Sequence, residues 1–345
     1  MVVPARVAVD GARRRPGLRA DLRTAAVDAA AALVITALIF AWLYARVRSG
    51  TSATVAVMPF LADADTYLMY WLCQAFGWTA LLWAWLTTVL GLVRSGARPR
   101  WTSVSPAGVE RWHRATSLTT IGLMFAHAAW FFAELVRVDE YGLGWPGRVG
   151  SAFVEVFVPG GYPSGTGRVA VLLGLLAFYL AIPLGLAYYL RARTGARTWR
   201  ALHRFVLVVY VLSAWHTLLY GTNVWFDGWP RTTLWLLQLP VAVLLLARLL
   251  APGRPGERLG RAGSALVAGR RVAAPVVVVA AIGVLVAVVV SGRDGGRTPG
   301  AHHGAPMSVQ PWMVWTGTAV FVLAVVLAVV AARRAERATR VRRAA

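Results

Sequence analysis

The stretch Arg111–Phe132, RWHRATSLTTIGLMFAHAAWFF, poses the question on which the fold turns. It is apolar enough for one membrane helix, yet it carries His113 and His127 fourteen residues apart. A second stretch, residues 199–221, reads WRALHRFVLVVYVLSAWHTLLYG and places His203 and His216 thirteen apart. Polar side chains at membrane depth are costly and mark function. The solvent around these two helices therefore decides what the imidazoles are for.

Of the 345 residues, 58% are hydrophobic, 14% are charged and 16 are tryptophan. A soluble domain has about 45–50% apolar and about 25% charged residues, so the solvent is the bilayer. A hydrocarbon core of about 30 Å takes roughly 20 apolar helical residues to cross. Eight segments qualify, near 25–46, 67–93, 110–136, 167–190, 199–221, 231–250, 272–291 and 312–332. A net charge of +22 raises the possibility of nucleic acid, but all 36 basic residues are arginine and they are unevenly spread. With the N-terminus in the cytoplasm, 28 arginines fall on that side and eight on the other, the positive-inside asymmetry. The expectation is an all-α integral membrane protein of the cell (plasma) membrane, with eight transmembrane helices and both termini inside. Its environment is the lipid bilayer, not nucleic acid.

Residues 1–24 read as an Arg-rich cytoplasmic N-terminus, 25–250 as a six-span domain and 251–271 as a Pro/Gly/Arg-rich cytoplasmic linker. Residues 272–345 read as a transmembrane hairpin whose exterior loop holds His302, His303 and Met307 and whose tail is basic. The polar start and long first apolar run argue for an anchor rather than a cleavable signal. Cys73 is the only cysteine. That excludes an intrachain disulfide, an iron–sulfur cluster held by this chain alone and the CxxCH attachment of a c-type haem. Pro183 and Pro240 are expected to kink the fourth and sixth spans.

Four of the six histidines lie in the third and fifth spans, which run in the same direction. At 1.5 Å per residue, the histidines within each span are about 20 Å apart. Side by side, the helices set His113 opposite His203 toward the cytoplasm and His127 opposite His216 toward the exterior. These are two bis-imidazole sites stacked across the bilayer, as axial ligation of b-type haem iron requires. The fifth span carries a difficulty. Fourteen residues return to within about 40° of the same helical face, whereas thirteen miss it by about 140°. That helix must bend, tighten locally or reach differently with its two side chains.

In these residues the chain resembles the ferric reductase-like transmembrane domain, shared by iron and copper reductases and the NADPH oxidases. That family carries two histidines fourteen apart in its third helix and two thirteen apart in its fifth, which His113 with His127 and His203 with His216 match. The resemblance covers about residues 25–250. It implies a six-helix bundle holding two non-covalent b haems and passing electrons outward one at a time, hence an oxidoreductase subunit with no catalytic side chain of its own. Family reductases usually continue into flavin and nucleotide domains, but here the Arg-rich linker and hairpin follow. No His-Pro flavin motif occurs, and GLGWPG, Gly142–Gly147, fits the dinucleotide fingerprint only as a loop turn without a preceding strand. No FAD or NAD(P) site is expected in this chain. It is similar to the stand-alone haem subunits of the family, which need a separate donor: a cytosolic flavoprotein reductase or a membrane quinol. An exterior metal chelate, oxygen or a redox protein would be the acceptor.

Haem propionates favour arginine forks. Arg111, Arg114, Arg200 and Arg204 flank the inner pair and are the candidate cofactor contacts, with Arg137 and Arg231 as outer candidates. Tyr210 would fill the gap between the sites, and Glu134 would draw a cationic acceptor. His302, His303 and Met307 would hold copper or iron loosely. No acid–base dyad, nucleophile triad or phosphate loop supports a hydrolase or kinase. The competing readings are a quinol-linked di-haem cytochrome b subunit of a larger complex and a haem-free membrane scaffold or transporter.

Overall fold

A chain in lipid must satisfy its backbone within its own helices, and that is how this one is built. A computed structural model describes residues 18–95, 105–163, 165–226, 228–250 and 310–344, with isolated positions between 272 and 286. Its helices are α1 Leu18–Arg48, α2 Ala53–Val57, α3 Leu68–Ser95, α4 Pro106–Val138, α5 Trp145–Phe157 and α6 Gly165–Leu186. They continue as α7 Arg191–Thr194, α8 Ala196–His203, α9 Val206–Tyr220, α10 Trp229–Leu236, α11 Gln238–Leu250 and α12 Pro311–Ala344. Among the described residues there is no strand, and seven stretches are long and apolar enough to cross a membrane. They are α1, α3, α4, α6, α8 with α9, α10 with α11, and α12. This is a multi-pass membrane protein. The expected span at 272–291 lies mostly outside the described residues, as do the linker at 251–271 and His302, His303 and Met307.

The outer surface confirms the solvent. α1 turns Val27 outward at 77% exposure and Val34 and Leu38 at 61% each, a face that water would penalise and lipid does not. Inward, short polar side chains join the helices. Thr36 bonds Thr79 at 2.9 Å, linking α1 to α3, and Thr87 bonds Thr120 at 3.3 Å, linking α3 to α4. Trp83 Nε1 donates to Asp28 at 2.8 Å. Such bonds in membrane bundles contribute about 0.6 kcal/mol each, so they set register more than they supply stability.

α4 is the central rod, 33 residues long and therefore about 50 Å. Ser105 caps its start by accepting from the Gly108 N–H at 3.1 Å, with Pro106 in the first turn. Its end is Asp139, left-handed at φ 48°. The aspartate side chain supports that conformation by accepting from the Leu143 N–H at 2.9 Å and from Arg148 at 2.8 Å. GLGWPG follows as a turn and the start of α5, after a helix rather than a strand. α3 and α6 lie antiparallel to α4 and α9, because Cys73 meets His127 where Thr87 meets His113, and Ala170 meets His216.

Two spans are interrupted. The fifth breaks at Arg204 and Phe205, where Phe205 N–H bonds Leu202 O and Val208 N–H bonds Phe205 O, each at 3.0 Å. These are i→i−3 contacts. Each residue wound at about 120° instead of about 100° returns about 20° of the angular deficit, and the break lets α8 and α9 rotate independently. The sixth span is interrupted at Leu237, since Pro240 has no N–H for the Leu236 carbonyl. Trp85 Nε1 donates to the Leu237 carbonyl there at 2.7 Å. Pro183, by contrast, is accommodated inside α6, which ends three residues later.

Candidate functional site

The direction and spacing of α4 and α8–α9 bring the four histidines into two facing pairs. His113 and His203 have ring centroids 5.8 Å apart with planes at 79°, and His127 and His216 lie 6.0 Å apart at 74°. A metal–imidazole bond of about 2.0–2.1 Å, with the ring centre about 1 Å behind the nitrogen, puts two imidazoles on one metal about 6 Å apart. Both pairs fit that arrangement. Among the described residues no group of three or more His, Cys, Asp or Glu assembles, so each pair offers two imidazoles as candidate ligands. Haem iron needs just such axial pairs because its macrocycle supplies the equatorial donors.

The ring orientations are fixed from behind. Nδ1 of His113 lies 3.0 Å from Thr87 O, Nδ1 of His127 2.8 Å from Cys73 O, and Nδ1 of His216 2.7 Å from Ala170 O. A carbonyl only accepts, so each Nδ1 carries the proton and each Nε2 keeps its lone pair for a metal. Four residues after each carbonyl stands a glycine: Gly91, Gly77 and Gly174. A Cβ at Gly174 would sit 2.7 Å from His216 Nδ1, one at Gly77 2.9 Å from His127 Nδ1, and one at Gly91 3.0 Å from His113 Cε1. The missing side chain lets the imidazole lie against the neighbouring helix and reach its main chain. Sequence reasoning missed these glycines, although Gly77 and Gly91 repeat the fourteen-residue spacing of the histidines they face.

His203 is held differently. Its ring meets the Leu184 backbone, but its buried Nδ1 closes no bond of the length and alignment seen at the other three. Trp199, one helical turn earlier, stacks on the imidazole at 5.5 Å and 25° and is itself met edge-on by Tyr188 at 5.8 Å.

A cavity of ≈ 150 Å³ surrounds the His127–His216 pair. Toward the His113 end its wall is apolar, with Leu81, Met124 and Phe178. At the other end it is polar and uncharged. There Gln74 accepts from Asn223 at 3.2 Å and donates to Tyr70 at 3.3 Å, and Tyr220 shares a 2.9 Å bond with Tyr162. Burial pushes the Tyr162 phenol up, keeping it protonated.

The supporting candidates are placed unequally. Arg114 is held by Asp21 at 3.1 Å and Glu110 at 2.9 Å. Asp21, itself buried, also accepts from Tyr189 at 2.9 Å, and burial with that bond pushes the Tyr189 phenol up. Arg111 and Arg204 are exposed and Arg200 half-buried at the same end. Arg137 pairs with Glu134 at 2.6 Å and lies over the Tyr67 ring at 5.2 Å. Glu134 is buried at 4% exposure, so its charge is neutralised inside the bundle and does not face a solvent cation. Arg231 is buried in α10. Tyr210 is buried among Leu81, Ala84 and Leu218, its hydroxyl donating to Gln238 at 2.9 Å.

An all-helical membrane bundle with two facing imidazole pairs defines a class that can hold metal macrocycles in series. Residues 76–214 match the family model described as ferric reductase like transmembrane component. The match takes in His113, His127 and His203 and stops two residues before His216. No curated protein and no solved structure matches the chain.

Proposed function

We propose that the protein passes electrons one at a time through two non-covalent b-type haems, from a donor on the cytoplasmic side to an acceptor outside. His113 and His203 would hold the inner haem, and His127 and His216 the outer. The observation that carries this is the pair of imidazole couples 5.8 and 6.0 Å apart, three of their four rings with Nδ1 committed to a carbonyl. Bound there, haem supplies a one-electron iron couple tuned by its ligands and surroundings.

The chain's own residues do the rest. The carbonyls of Thr87, Cys73 and Ala170 fix the tautomer and make each imidazole a stronger donor through Nε2. Leu81, Met124 and Phe178 keep water from the outer site and hold its dielectric low. Gln74, Asn223 and Tyr70 offer neutral hydrogen bonds at its exterior end. On the inner side Arg111, Arg114, Arg200 and Arg204 would meet the propionates, with Arg114 oriented by Asp21 and Glu110. The arginine asymmetry supports a plasma-membrane orientation with the His113 end toward the cytoplasm, and an inside-negative potential would then favour outward electron movement by about 2.3 kcal/mol per 100 mV. A cytosolic flavoprotein or a membrane quinol would be the donor, and a metal chelate, oxygen or a redox protein the acceptor.

Inverted vesicles test this. A flavin reductase with NADPH, or a quinol, added outside should reduce ferric chelate sealed in the lumen, and His113→Leu should abolish transfer while the protein still inserts. Chelate that stays ferric while the haems turn over with every donor would contradict it.

A further inference from the structure

α12 begins 97 residues after the end of the matched segment, yet it packs against α8 and α6. Val314 joins the cluster of Val169, Ala170 and Leu219, and Phe321 meets Phe205 edge-on at 5.4 Å. Further along α12, Glu336 reaches the start of α8. Its Oε1 accepts from the Arg197 N–H at 2.9 Å. The residue at the cap position is Gly195, at φ +87°, which has no side chain to do this. A Cβ there would fall 2.5 Å from Glu336 Oε2. The carboxylate of α12 thus serves as the N-cap that α8 lacks, meeting a first-turn N–H that has no acceptor within an α-helix and the positive end of the helix dipole.

α8 needs that support more than its neighbours do. It is eight residues long, cut off by Gly195 before it and by the turn at Arg204 and Phe205 after it, and helices so short are marginal alone. Its last residue is His203, the one ligand candidate that meets its neighbouring backbone, at Leu184, without a closed Nδ1 hydrogen bond. The seat of His203 is therefore set by where α8 sits and by Trp199 on the same short helix.

We propose that Glu336 is a positioning residue for His203, so that the C-terminal helix controls the geometry of the inner site. This rests on the reading of His113 and His203 as haem ligands.

The test uses the full purified chain as wild type, Glu336→Ala, Glu336→Gln and, as a control on the same helix, Arg334→Ala. Redox titration with electron paramagnetic resonance follows the two low-spin haems, and hydrogen exchange follows the α8 amides. Glu336→Ala should weaken inner-haem retention and raise α8 exchange roughly 2- to 30-fold, which is what losing a cap worth about 0.5–2 kcal/mol converts to. It should also move the inner haem's low-spin signal and midpoint and leave the outer haem's unchanged. Glu336→Gln keeps an oxygen that accepts from the Arg197 N–H and should restore most of the wild-type signature, and Arg334→Ala should match wild type. Unchanged α8 exchange and inner-haem signature in Glu336→Ala, or equal damage to both haems, would overturn the proposal. Wild-type protein without haem would instead overturn the haem reading, and with it the role of Glu336 toward that group.

Discussion

The two histidine pairs have nearly the same ring separation, 5.8 against 6.0 Å, but they are built on different supports. At the His127–His216 pair both rings donate to main-chain carbonyls of α3 and α6, and both press against a glycine. At the His113–His203 pair His113 does so, while His203 meets the Leu184 backbone without a closed Nδ1 bond. His203 sits on a two-turn helix, oriented by Trp199 and capped from α12. One site is fixed by main-chain carbonyls, which remain when the side chains of Cys73 and Ala170 are changed, and by glycines that let the rings reach them. The other is fixed by backbone at His113 but at His203 by side chains and by a helix outside the matched segment, so it is the more adjustable one, and it lies at the end proposed to receive electrons.

The pairing itself is the strongest point of attack. His127→Leu and His216→Leu should each abolish the outer haem and spare the inner one, His113→Leu and His203→Leu should do the reverse, and a double mutant within a pair should lose little more. Haem spectra of the six variants check this, and a separate haem lost from each single mutant would break the comparison. The next largest effect is at the glycines. Gly174→Leu should displace His216 from the Ala170 carbonyl and weaken outer-haem binding by about 10- to 100-fold, the usual cost of a disturbed ligand support. It should leave the inner haem's titration wave in place. Trp199→Leu sharpens the contrast from the other side. Losing an aromatic contact of about 0.5–1.5 kcal/mol should loosen the inner haem alone, by about 2- to 13-fold in retention. Smallest is Cys73→Ala. The Cys73 thiol lies 3.4 Å from His127 Nδ1, but the same residue's carbonyl makes the 2.8 Å bond. Removing the sulfur should change outer-haem affinity by no more than about twofold, the scale of a weak contact.

The apolar spans were legible because lipid imposes one rule on every residue of a crossing, and hydropathy reads that rule directly. The four histidines stood out for the same reason, as expensive groups in cheap surroundings. The thirteen-residue spacing announced that the fifth span must depart from an ideal helix, but not where. Nothing in RFVLVV marks Arg204 and Phe205 as the break, since neither residue is a helix breaker and the turn is dictated by packing. Pro240 was a visible cause for the interruption at Leu237, whereas Pro183 proved compatible with an unbroken α6. α5 was read as loop because thirteen residues are too few to span, although its amphipathic face buries Ala152, Glu155 and Val156. The Asp21 partner of Arg114 was invisible in the sequence because it lies 93 residues away, and local charge patterns cannot see such a partner. Glu336 escaped notice for the same reason, lying beyond the last apolar run.

The paired imidazoles are proposed to hold two b-type haems in series. The most direct measurement is a pyridine haemochrome assay on the purified chain, before and after acid–acetone extraction, with a reduced-minus-oxidised spectrum. The account predicts two extractable b haems per chain, both low-spin, falling to one in His113→Leu and to one in His216→Leu. Haem-free protein, covalent c-type haem, or a stoichiometry unmoved by either substitution would contradict it.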